Sequence, residues 1–324
     1  IDDRERYRLY ASTDNFSSVS GSWIVLSSDV HHPLAAAATV QLYSNAVYYF
    51  GVTCVDSATA PSGLYSQGLE SALSSIYSTV TLAAVPGASS VTATADSSIS
   101  IGWLPNGNQL TPPTSYQVLV STDIGFGVFT ASETYSVYNT SGTLSPNTSY
   151  YFKVSAFNRV SGQTAFNTAI ATYTLARTPT VTGFNVYSTS IALTLGLNGN
   201  PQGTALAVST GNFEVLSTSS VLVTAFIINN LVANATYTVL ARAVNALNLP
   251  SGNATVASAT STLANTPAVT SFRVFTTSVT VTLGQNGNKA GTQIFVTTGT
   301  DSNFAVVLST IGAEAGANTD LTVF

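Results

Sequence analysis

The chain has 324 residues with only 9 Lys plus Arg and 14 Asp plus Glu, so 7% of it is charged, against about 25% in an ordinary soluble domain. A net charge of −5 without a basic cluster excludes an electrostatic footprint for nucleic acid. No apolar run reaches the roughly 18 residues of a membrane-spanning helix, and the abundance of Val, Ile, Leu, Phe and Tyr excludes a disordered chain. There is no Met, so Ile1 is not read as a translation start and the chain is expected to be a processed product or a segment of something longer. The single Cys54 leaves no intramolecular disulfide and is expected to serve as a small buried hydrophobe.

In chain order, the first predicted strand runs from Tyr7 to Ser12 and ends at a Ser-Thr pair. His31 and His32 follow; being adjacent, they would face opposite sides of a strand and could not share a metal. A strand then carries Tyr48, Phe50, Val52 and Cys54 on one face, and a joint, Leu82-Ala83-Ala84-Val85-Pro86, closes this first copy. The second copy shows alternation from Ser98 to Trp103, then Asn106-Gly107-Asn108, then a strand from Tyr116 to a Ser-Thr pair at Ser121. Its longest strand lies in Leu144-Ser145-Pro146-Asn147-Thr148-Ser149-Tyr150 and onward to Asn158, with Tyr150, Phe152, Val154 and Ala156 on one face and Tyr151, Lys153, Ser155 and Phe157 on the other. Cys54 would then take the inward place of Ala156 and Ala243.

The same order recurs. Asn198-Gly199-Asn200 and Asn286-Gly287-Asn288 repeat the tripeptide at spacings of 92 (106 to 198) and 88 (198 to 286), and Leu175-Ala176-Arg177-Thr178-Pro179 and Leu263-Ala264-Asn265-Thr266-Pro267 repeat the joint. Internal repetition at this period means an array of modules. Four are expected: a partial copy over 1–86 that lacks its first strands, complete copies over 87–178 and 179–266, and a partial copy over 267–324 that lacks its last strands. Short Pro-containing joints restrict the orientations of neighbouring modules. The partial ends have two readings: the chain is part of a longer array, or the open end of one chain is completed by strands of the next. No long amphipathic helix is predicted, so the fold class is all-β.

The strand ending at Trp103, the Pro and Asn-Gly loop after it, and Leu-x-Pro-x-Thr-x-Tyr-x-Phe-x-Val-x-Ala-x-Asn over residues 144–158 closely resemble fibronectin type III domains, immunoglobulin-like β-sandwiches, here in tandem as a linear rod. The resemblance implies a core built on Trp103, with Leu195 and Leu283 in its place in later copies, and a corner hydrogen bond from Tyr150, whose place Tyr48 and Tyr237 hold in neighbouring copies. The Asn-Gly-Asn and the Thr-Leu-Ala-Asn-Thr-Pro joint resemble versions in very long bacterial surface proteins, which implies an extracellular or cell-surface location.

No catalytic, cofactor or metal site is expected. The carboxylates show no spacing suited to a calcium loop or an acid/base pair, and Asp14, Asp123 and Asp301, each just after a Ser-Thr or Thr-Thr pair, read as turn formers. Asn15, Asn139, Asn147, Asn234 and Asn253 fit the N-glycosylation acceptor pattern. Five matches are near what chance supplies in a chain this rich in Asn, Ser and Thr, so ordinary surface asparagines are the favoured reading and surface glycans the alternative. Tyr151, Phe157, Leu240 and Val244 are apolar on outward faces and form the candidate assembly surface. The sequence therefore predicts a non-enzymatic structural repeat protein, with other copies of itself as partners in an extracellular filament, tube or surface layer. The alternative is an adhesin or spacer stalk that presents a distant binding or hydrolase domain.

Overall fold

The computed structural model describes residues 6–17, 24–31, 42–55, 70–108, 114–211, 224–299, 307–314 and 319–323. Every regular element among them is a strand. The chain forms two compact units, the first made of residues 1–94, 98–142 and 149–172, the second of 95–97, 143–148 and 173–324.

In the first unit, β1 (Arg6–Ser12), β2 (Ile24–His31), β3 (Val47–Val55) and β4 (Tyr77–Val80) form one antiparallel sheet in the order β2-β1-β3-β4. The next seven strands are β5 (Ser89–Thr94), β6 (Ile99–Trp103), β7 (Ser115–Ser121), β8 (Thr130–Thr134), β9 (Tyr138–Ser141), β10 (Ser149–Phe157) and β11 (Ile170–Tyr173). They divide into sheets β5-β6-β9 and β11-β10-β7-β8. This is the three-against-four β-sandwich expected of a fibronectin type III-like module.

The second unit holds β12 (Thr180–Val186), β13 (Ile191–Gly196), β14 (Ala205–Ser209), β15 (Ala225–Ile228), β16 (Thr236–Val244) and β17 (Ala254–Ser261), in sheets β12-β13-β15 and β14-β16-β17. After them come β18 (Ala268–Val274), β19 (Val279–Gly284), β20 (Gln293–Gly299), β21 (Val307–Glu314) and β22 (Thr319–Val323), in sheets β18-β19-β22 and β20-β21. The first strand of each of the later three copies has an irregular register at the same place: between Val91 and Ala93, Val181 and Gly183, and Val269 and Ser271.

Period-two alternation sets the cores. Phe152, Val154 and Ala156 pair with Val120, Val118 and Tyr116 across β10 and β7, and all six are buried. Trp103 packs edge-on to Tyr116, with ring centroids 5.4 Å apart and planes at 63°. Leu195 and Leu283 are buried at the corresponding ends of β13 and β19. In the third copy Phe184 and Val186 of β12 pack half-buried on a core that Ala254 and Val256 of β17 also cover. Their counterparts Phe272 and Val274 are 64% and 77% exposed, because no described strand takes the places of β16 and β17 beside β18–β22.

One core expectation is corrected. Cys54 is exposed, not buried in the place of Ala156 and Ala243. Those alanines face a second sheet, whereas no described strand covers that face of the first sheet. Burial on β3 shifts to Gly51, Thr53 and Val55, beside residues 70–74, where the amides of Ser71 and Ser74 donate to the carbonyls of Cys54 (2.8 Å) and Val52 (2.9 Å). Gly51 allows this close approach, since a Cβ there would lie 2.7 Å from Leu73 Cγ.

Candidate functional site: the asparagine joint

The densest repeated chemistry is polar and neutral, and it lies at the joints. Asn-Gly occupies left-handed backbone at each tripeptide: φ is 54° and 84° at Asn106 and Gly107, 51° and 82° at Asn198 and Gly199, and 49° and 78° at Asn286 and Gly287. Two consecutive positive φ values define a type I′ turn, which Asn-Gly adopts with the least strain. The turn aims the first Asn at the joint: Asn106 Nδ2 donates to the Val85 carbonyl (2.8 Å), Asn198 to Thr178 (2.8 Å) and Asn286 to Thr266 (2.7 Å).

The third residue of the tripeptide clamps the joint more tightly. Asn108 Oδ1 accepts from the Ala84 amide and its Nδ2 donates to the Ala84 carbonyl, both at 2.7 Å. Asn200 does the same to Arg177, both at 2.7 Å, and Asn288 to Asn265 at 2.7 and 2.9 Å. One side-chain amide thus satisfies both backbone groups of an extended linker residue, as a neighbouring strand would. With the three side chains 5%, 6% and 5% exposed, these bonds are shielded from competing water.

A third asparagine closes each joint from the other side. Asn45, Asn147 and Asn234 have φ of 50°, 44° and 53°. Their Nδ2 atoms donate to Thr114, Thr204 and Thr292 hydroxyls at 2.7, 2.9 and 2.8 Å. Asn45 Oδ1 accepts from the Arg159 amide and Asn147 Oδ1 from the Ala246 amide, each at 2.9 Å. Threonines in the linkers complete the pattern: Thr81, Thr174 and Thr262 hydroxyls accept from Ala46, Thr148 and Ala235 amides at 3.0 Å. They donate to the carbonyls of Tyr43, Ser145 and Val232 at 2.7, 2.7 and 2.6 Å.

One ion pair joins this set. Arg177 Nε lies 2.8 Å from Asp96 Oδ2, and the hydrogen bond from Arg177 holds the Asp96 carboxyl below its usual value of 3.8, against a smaller upward push from burial. Elsewhere, burial raises Glu70, but hydrogen bonds from Thr53 and Tyr10 and the charge of Arg8 outweigh it and leave that carboxyl lowered.

The sequence-derived residues fall as follows. Tyr48 and Tyr150 are buried, and Tyr237 is half-buried. The hydroxyls of Tyr48 and Tyr237 accept from the amides of Tyr43 and Val232, both at 2.9 Å. Tyr151, Phe157, Leu240 and Val244 are half-buried. On the second copy the chain after β10 runs back along it, with Thr164 and Asn167 amides donating to Ala156 and Val154 carbonyls at 2.9 and 2.8 Å. That segment brings Phe166 to Lys153, whose ammonium also lies over Phe126, 4.8 and 4.1 Å from the two ring centroids.

Of the glycosylation-pattern residues, Asn15 and Asn253 are exposed and Asn139 is half-buried. Asn147 and Asn234 already direct the nitrogen that a glycan would occupy at Thr204 and Thr292. Asp123 is a turn former: its carboxylate accepts from Gly125 and Gly127 amides at 3.1 and 3.2 Å, and these bonds lower its pKa. Asp14 bonds the Ser12 hydroxyl in the equivalent turn. His32 and Asp301 lie outside the described residues, as does the side chain of His31. Among the described residues, no group of three His, Cys, Asp or Glu is placed to hold a metal.

Sequence reading took the Asn-Gly-Asn tripeptides as a marker of repetition and missed their work at the joint. The available signal was that Asn45, Asn147 and Asn234, like Thr81, Thr174 and Thr262, hold matching places in successive copies.

No family model matches the chain, and no curated protein matches it. Among solved structures, it is similar to the FN1-FN3 domains of chicken CNTN1, with 18% identity over 81% of this chain and 89% of that one and a TM-score of 0.31. It is also similar to a two-domain fibronectin type III segment of chicken tenascin, with 16% identity over 53% of this chain and 99% of that one and a TM-score of 0.37. The strand order itself makes the described chain an all-β array of β-sandwich modules with a fibronectin type III-like fold.

Proposed function

We propose that this chain is a non-enzymatic structural protein whose modules build an extracellular filament, tube or surface layer on a bacterial cell. The observation that carries the reading is the asparagine joint: the same neutral clamps recur at all three linkers, at matching distances. An array whose linkers are each fixed by several shielded hydrogen bonds transmits load and keeps spacing, which a chain of modules on free linkers does not.

Surface composition supports association. With 7% charged residues, neighbouring copies can pack without burying unpaired charge, which is costly. Large apolar side chains stand exposed on the second copy, among them Ile124, Val128, Phe129 and Tyr138. The partner is a second copy of the chain, and the half-buried outward residues Tyr151 and Leu240 lie on the packing face.

Electron microscopy and sedimentation velocity of the full chain at rising concentration test this. Ordered filaments or sheets are expected, and the double variant Tyr151→Lys, Leu240→Lys is expected to weaken them. A chain that stays monomeric at every concentration would sink the assembly reading and leave the spacer stalk.

A further inference from the structure

We propose that the second copy carries a binding site for a neutral saccharide, in a cavity of about 560 Å³ between the end of β8 and the turn that follows β10. This goes beyond the assembly reading and does not rest on it.

The residues that line the cavity depart from the repeat. Asn158 matches Asn245 in the third copy and Asp56 in the first, so Arg159 corresponds to Ala246 and Ser57, and Phe157 to Val244 and Val55. Arg159 and Phe157 do not recur in the other copies, and both line this cavity. Glu133 of β8 lines it too. In a chain with 23 charged positions, 9 basic and 14 acidic, a carboxylate and a guanidinium thus share one cavity. Neither side chain makes a hydrogen bond or ion pair with any described residue.

That pair suits a ligand that both donates and accepts hydrogen bonds. A carboxylate only accepts hydrogen bonds and a guanidinium only donates them. A hydroxyl does both, so a polyol can satisfy Glu133 and Arg159 together. An anion would meet Arg159 but be repelled by Glu133, a cation the reverse, and an apolar molecule would strip water from both charges without replacing it. Two rings supply the rest: Tyr135, 61% exposed, and the half-buried Phe157. The face of an aromatic ring is electronegative, which suits the polarised C–H face of a pyranose. The volume falls within the usual range of small-ligand pockets, about 300–1,000 Å³.

The wall that carries Arg159 is rigid before any ligand arrives. Asn158 Oδ1 accepts from the amides of Val160 and Gly162 at 3.2 and 2.7 Å. The Arg159 amide itself donates to Asn45 Oδ1 at 2.9 Å. Preorganisation of this kind reduces the ordering cost of binding.

Saturation-transfer NMR on the full chain, with lactose, maltose, cellobiose and mannose as probes and glucuronate and glucosamine as charged controls, tests the proposal. At least one neutral sugar is expected to bind saturably and more tightly than either control. Glu133→Gln and Arg159→Ala should each weaken it about tenfold, the loss of one charge-assisted hydrogen bond, while Arg273→Ala on β18 leaves it unchanged. Both side chains are exposed, so neither variant threatens folding. No saturable binding of any neutral sugar, binding that survives both substitutions, or a preference for either charged control overturns the proposal.

Discussion

The core and the joint of these modules follow different rules. At one core position the second copy has Trp103 where the third and fourth have Leu195 and Leu283, all buried. At the joint, Asn108, Asn200 and Asn288 are the same residue with nearly the same bond lengths. Apolar packing asks for volume and tolerates repacking. A linker residue with an amide and a carbonyl to satisfy asks for one donor and one acceptor at fixed separation, which a side-chain amide of the right length provides and an apolar side chain does not.

The largest effect should come from breaking the tolerant side. Trp103→Ala removes a large side chain from a filled core and is expected to cost about 3–5 kcal/mol. Trp103→Leu, which copies what other modules carry, should cost about half of that or less. Hydrogen-exchange protection along β10, measured on the full chain, reports both. An equal loss for the two variants would mean that the indole does something beyond filling space.

The joint should show the opposite sensitivity to conservative change. Asn200→Leu keeps the branched outline but leaves the Arg177 amide and carbonyl unpaired, and is expected to cost about 2–4 kcal/mol. Asn200→Asp retains the acceptor but sets a carboxylate against the carbonyls of Arg177 and Leu197, which Asn200 Nδ2 now reaches at 2.7 and 2.8 Å. Both should accelerate exchange at the Arg177 amide while β14 and β16 stay protected. A joint unaffected by either change would reduce the clamp to decoration.

The smallest effect sharpens the comparison by adding charge. Because Asp96 titrates below its ordinary 3.8 in the folded chain, its pairing with Arg177 stabilises fully above that value and fades as pH falls through the lower folded value. The two side chains are 40% and 39% exposed, so solvent screening limits the contribution to about 1 kcal/mol or less. A pH titration of thermal stability on the wild type and Asp96→Asn should diverge above pH 4 and converge under stronger acid. Divergence in the reverse sense would remove the ion pair from the joint.

The sequence made the fold legible because period-two alternation and a repeat near ninety residues are local or self-referential signals. They place Tyr150, Phe152, Val154 and Ala156 on one face of a strand, whereas the core places of Trp103 and Tyr48 follow from the resemblance to fibronectin type III domains. Cys54 could not be placed from them, since its exposure depends on whether a second sheet covers its face. Nor could the half-burial of Tyr151 and Phe157. The joint stayed hidden for a similar reason. An asparagine advertises a turn, but whether its amide meets a backbone some twenty residues away is decided only once the sheets have formed.

The neutrality of the clamps has a consequence for ionic strength. Of the contacts that fix the three joints among the described residues, only Asp96 with Arg177 is an ion pair; the rest join amides, carbonyls and hydroxyls. Coulombic contacts weaken as salt shortens the screening length to about 8 Å at physiological strength and about 3 Å at 1 M, whereas neutral hydrogen bonds closed off from water do not. The buried clamps of Asn108, Asn200 and Asn288 are therefore expected to persist from fresh water to brine.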